Sequence, residues 1–166
     1  MRKLMTLAIA LFTFAAFADD HANCPMHAQH TANSVEARGD HVMGFSHDAA
    51  KHAFKLYADG GAIEVRVADA NDETTLRMVR SHLKHVAEAF SKGDFSDPMA
   101  IHATLPDGAD VMRAKKSSIV YRYSDLDRGG VVRVTASDAA AIDAIHRFMR
   151  FQIDEHHTGD SDSVSR

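Results

Sequence analysis

Along residues 52–58 the side chains His52, Phe54, Leu56 and Ala58 fall on one side of an extended chain. Ala53, Lys55 and Tyr57 fall on the other, which is the two-residue period of a strand. Asp59-Gly60-Gly61 reads as a hairpin turn, and Ile63, Val65 and Val67 alternate with Glu64 and Arg66 on the return. The period then changes to that of a helix. Asn71-Asp72 offers a cap, and Leu76, Val79, Leu83, Val86 and Phe90 form one apolar stripe up to a stop at Lys92-Gly93-Asp94. The same order recurs 66 to 69 residues later: Ile119, Tyr121 and Tyr123, a turn at Asp127-Arg128-Gly129-Gly130, then Val132 and Val134. After a Ser137-Asp138 cap, a second long helix reaches about His157. Between the copies, residues 95–116 are expected to form one or two short helices broken by Pro98 and Pro106. The pattern predicts an α+β fold in which two ββα repeats give a four-stranded antiparallel sheet with both long helices on one face.

The N-terminal third has a different texture. Arg2 and Lys3 precede an apolar run from Leu4 to Phe17, and Ala16-Phe17-Ala18 is a small-x-small cleavage site. This predicts a signal peptide at 1–18, export to the periplasm, and no membrane span after cleavage, since the run is shorter than the ~20 residues a spanning helix needs. The remaining 148 residues, with 17 basic and 23 acidic groups, carry a net charge of −6. With no basic block, a nucleic-acid partner is not expected. Residues 19–47 lack sustained apolar periodicity and read as a flexible arm. Residues 48–157 read as a single α+β domain and 158–166 as a disordered polar tail.

Composition adds one unusual feature, twelve His among 166 residues. Five of them lie in the arm, where Cys24, Met26, His27 and His30 crowd a thiol, a thioether and two imidazoles into seven positions. Soft sulfur with imidazole selects Cu(I) and tolerates Zn(II). In the first long helix, Met78, His82, His85 and Ala89 make a second stripe beside the apolar one. His52 shares a strand face with Phe54, His102 lies between the repeats, and His146 flanks the buried stripe of the second helix, which includes Gln152 and His156. Each of these His residues also has a plain reading as a hydrogen-bonded core or surface group. A single Cys closes no intramolecular disulfide, and no phosphate-binding glycine loop, GxSxG or HExxH occurs. A catalytic role is not expected.

Asp59-Gly60-Gly61-Ala62-Ile63-Glu64-Val65, Ser81-His82-Leu83-Lys84-His85-Val86-Ala87, Gly93-Asp94-Phe95 with Pro98, and Ala144-Ile145-His146-Arg147-Phe148 carry a family resemblance. So do Phe151-Gln152-Ile153 and His156-His157-Thr158-Gly159-Asp160. Together, over about residues 45–160, they resemble a family of small exported His-bearing bacterial proteins often labelled aspartate carbamoyltransferase. The label does not fit, because the Ser-Thr-Arg-Thr-Arg phosphate loop of a true carbamoyltransferase is missing. The resemblance implies a periplasmic role associated with copper handling.

Three functions follow as expectations. The first is a non-enzymatic periplasmic protein binding a metal ion, copper foremost and zinc as an alternative. It would use His82, His85, Met78, His52 and His102 in the fold and Cys24, Met26, His27 and His30 in the arm, and would exchange metal with a partner protein. The second is a non-covalent haem or redox module, and the third an interaction domain whose His residues merely face solvent.

Overall fold

A computed structural model describes residues 34–165. The predicted signal peptide and Cys24, Met26, His27 and His30 lie outside these described residues. The sheet is built from β1 (Ala50–Tyr57), β2 (Gly60–Val67), β3 (Ile119–Leu126) and β4 (Gly129–Ala136). Its order is β1-β2-β4-β3, antiparallel throughout, so the two hairpins meet at the central β2/β4 pair. Two long helices, α2 (Glu73–Ser91) and α5 (Ala139–Glu155), cover one face. The α+β reading with two ββα repeats holds. Each helix packs mainly on the hairpin of the other repeat, α2 on β3 and β4, and α5 on β1 and β2.

The repeats are punctuated alike. Asp72 accepts from Thr75 N–H and Asp138 from Ala141 N–H, each satisfying one of the orphan donors at a helix start. The glycine pairs, however, are not the turns. The loops are Ala58-Asp59 and Asp127-Arg128, and the glycines begin the return strands. Close approach between the central strands explains this: a Cβ on Gly60 would lie 2.1 Å from Val134 O, and one on Gly129 would lie 1.9 Å from Val65 O. The predicted stripe of α2, Leu76 to Phe90, is buried in full. It meets Phe54, Leu56, Ile63, Val65, Val132 and Val134 from the sheet and Ile145, Phe148 and Met149 from α5.

Three segments differ from the sequence reading. The stretch assigned to the arm contains a helix, α1 (Val35–Met43), capped by Ser34 and ended by Gly44 in the left-handed region. It buries only Gly39 and Met43, so no apolar stripe announces it. Arg38 Nε donates to Ile101 O and ties α1 to α3 (Ser96–His102). Pro98 does not break α3 but occupies its first turn, where a missing N–H costs nothing. A further short helix, α4 (Ala109–Ala114), precedes β3. The polar tail lies along the outer edge of β1: Asp160 accepts from Phe54 N–H at 2.8 Å, and Ser165 N–H donates to Leu56 O at 2.9 Å. An edge strand leaves such groups unpaired, and the tail supplies partners for two of them.

Candidate functional site

Four imidazoles from four different elements line one cavity of about 60 Å³ under α1. His52 arrives from β1 because its position shares the inward face with Phe54. His82 comes from the margin of the α2 stripe, His102 is the last residue of α3, and His156 caps the C-terminus of α5. The His52 and His156 rings stack at 5.7 Å with 14° between their planes. His102 meets His156 edge-on at 5.0 Å, and His82 meets Phe45 edge-on at 5.8 Å. Phe54, Val86, Phe90 and Phe148 complete a largely apolar wall.

Hydrogen bonds position His102 most firmly. Its side chain is wholly buried, and its Nε2 lies 3.1 Å from Gln152 Oε1. With the amide oxygen as acceptor, the ring proton sits on Nε2 and the lone pair on Nδ1. That Nδ1 and Gln152 Nε2 are buried without hydrogen-bond partners, and Glu155 Oε2 stands 3.5 Å from the former.

Burial controls the protonation of the cluster. Desolvation pushes His52 down to about 3, assisted by the neighbouring His156 and His82. It pushes His82 down to about 4 against the opposing pull of Asp97, and His156 to about 4 against that of Glu36. His102 is also lowered, chiefly by burial, with Gln152 and Glu155 acting the other way. At neutral pH all four rings are uncharged and each keeps a lone pair. The unfolded chain takes up protons near pH 6.5 while the folded chain resists them down to about pH 4, so stability must fall as pH drops through that interval. We expect a loss on the order of a few kcal/mol between pH 7 and pH 4.5, read by urea unfolding at a series of pH values. Carboxylates held low by caps, such as Asp72 and Asp138, act only below about pH 4 and do not obscure the window. A stability that stays level from pH 7 to 4.5 would refute the desolvated cluster.

Of the predicted site residues among those described, His52, His82 and His102 come together, and His85 and Met78 do not join them. His85 lies three residues beyond His82, about 60° further around the helix from the buried stripe, which carries it out to solvent. There its Nε2 pairs with Asp97 Oδ2 at 3.1 Å. Met78 packs partly buried against the core and does not line the cavity. His146 has a structural role, its Nε2 lying 2.9 Å from Tyr57 O. Among the lining residues not selected from the sequence are two with donors for a soft metal, His156 and Met43. The position of His156 on the buried stripe with Gln152 was legible, but its imidazole neighbours were not. Met43 ends a helix without periodicity, and only the following Gly44 hinted at that end.

A wider outer pocket of about 250 Å³ shares Met43, His52 and His156 with the cavity. Its rim carries Glu36, Asp48 and Lys51. Among the described residues, no three His, Cys, Asp or Glu side chains already stand around a common point where a metal ion would sit. None of the described helices is long and apolar enough to cross a membrane. No family model, curated protein or solved structure matches the chain.

Proposed function

We propose that this is a non-enzymatic, exported metal-binding protein that takes a transition-metal ion, copper foremost, at the cavity formed by His52, His82, His102 and His156. The observation that carries the reading is the convergence of four uncharged imidazoles, His102 buried and His52, His82 and His156 half-buried, on a space the size of an ion with one or two waters. Packing alone does not call for them. Desolvating four polar rings beside one another sacrifices stability that apolar side chains would keep, and such sacrifices concentrate at functional sites. Imidazole is a good ligand for copper and zinc, and it ligates only when unprotonated. The rings must turn about χ2 to share an ion, and that torsion is broad and soft. Because burial already suppresses protonation, metal affinity should persist below pH 6 and fail only towards pH 4.

The haem reading has less support. Pockets for ligands of that class occupy about 300 Å³ or more, so a haem would have to open the core between α2 and α5. The interaction-domain reading treats the His residues as surface groups, whereas these four line an interior wall. In the proposed role the arm, through Cys24, Met26, His27 and His30, captures the ion and exchanges it with a periplasmic partner.

The test uses the full chain with Cys24→Ala, Met26→Leu, His27→Ala and His30→Ala, which leaves the cavity donors alone. Cu(I) and Zn(II) are titrated against a chromophoric competitor, with elemental analysis and an absorption spectrum of the protein as purified. The expected result is one copper per chain and no Soret band. Failure to bind either ion above background overturns the proposal, and a Soret band transfers the site to haem.

A further inference from the structure

Resting on that reading, we propose that Met43, with His52 and His156, forms the throat of the cavity and ligates the bound ion there, and that this throat selects a soft monovalent ion, Cu(I), over a divalent one. Among the described residues these three alone line both the outer pocket and the inner cavity, so an ion moving from one to the other passes them. Met43 is 9% exposed and closes α1 directly over the cavity. Gly39, one turn earlier, leaves room for its methyl group, since a Cβ there would sit 3.4 Å from Met43 Cε. The thioether is thus held at the mouth by the helix that covers it.

The charge of the donors decides the oxidation state. Thioether and imidazole are neutral, and the throat itself holds no carboxylate. Glu36 and Asp48 stand outside on the pocket rim with Lys51, where they draw cations in without entering the cavity. Asp97, on the opposite wall, is engaged with His85 at the surface. The desolvation cost of an ion rises with the square of its charge, so a divalent ion pays about four times the Born cost of a monovalent one of similar size. Neutral soft donors offset that cost for Cu(I), while Zn(II) and Cu(II) favour harder or charged ligands.

Met43→Leu keeps the volume and removes the sulfur lone pair, with little expected change in packing. Losing even a supporting hydrogen-bond partner of a metal ligand costs about 10–100-fold in affinity, so loss of a direct ligand should weaken Cu(I) at least ~10-fold. Ag(I), a redox-inert probe of the same chemistry, should weaken alike, while any Zn(II) affinity is unchanged. All measurements use the full chain with the four arm substitutions given above. A wild-type-like Cu(I) affinity in Met43→Leu overturns the throat and leaves the metal site standing. Absence of metal in the parent protein removes the site and the throat together. Should Met43→Leu fail to fold, X-ray absorption on the copper-loaded parent decides, since only a sulfur scatterer on the metal agrees with Met43 as ligand.

Discussion

Replacing His52 and His156 together by Phe is expected to abolish binding of the cavity ion while leaving the protein folded. The two rings already stack on each other at 5.7 Å, and His52 stacks on Phe54 at 6.1 Å, so aromatic rings fit where the imidazoles lie. Two nitrogen donors disappear at once, and they are the two that also face the outer pocket. Cu(I) affinity should fall by well over the ~10–100-fold caused by the loss of one supporting group. The same change removes two desolvated bases, so acid sensitivity between pH 6.5 and 4.5 should shrink rather than grow. A generally damaged protein would lose metal and become more acid-labile. His85→Ala with His146→Ala is the control. One ring is exposed and the other bonded to a backbone carbonyl, so metal affinity should not move. Retention of copper by the Phe pair, with folding shown by circular dichroism, would rule out the cavity as the site.

Gly129→Ala is expected to destabilise the fold strongly. The added methyl would lie 1.9 Å from Val65 O and 2.9 Å from Val65 C and Arg66 Cα. All three atoms belong to the backbone of the neighbouring central strand, so no side-chain rotation relieves the clash. The β2/β4 ladder must part, and among the described residues it is the strand pairing that joins the two hairpins. A cost of about 3 kcal/mol or more is expected. For a domain of this size that lowers the melting temperature by roughly 10 °C or more. Gly44→Ala isolates the backbone contribution. Gly44 has φ 78° and nothing within 4 Å of a built Cβ, so it should lose only about 1 kcal/mol for the left-handed conformation. Equal melting temperatures for the two variants would mean the central strands are not as close as described.

Both results depend on features that the sequence showed unevenly. Periodicity marked the hairpins and the long helices within a few residues, because alternation and a 3.6-residue stripe record burial directly. The Asp caps were equally plain, since a short acceptor before an apolar stripe has one common use. The glycine pairs misled. Asp59-Gly60-Gly61 looks like a turn, yet Gly60 and Gly129 serve cross-strand approach, a demand set by a strand from the other repeat. Helix α1 escaped notice because it buries two residues and is held by its caps and by Arg38.

For the site, sequence spacing gave the inward direction of His52 and the marginal position of His82, but favoured His85 through its place in the Met78, His82, His85 stripe. Spacing along one helix constrains only that helix. The cluster instead takes one residue from each of four elements, spread from position 52 to position 156. What the sequence alone determined is the doubled ββα plan and the faces that must be buried, since these follow from local chain geometry and hydrophobicity. Only the tertiary structure decided which imidazoles meet, that Met43 stands over them, and that burial keeps them uncharged. Those properties depend on distances between chain segments that no local pattern encodes.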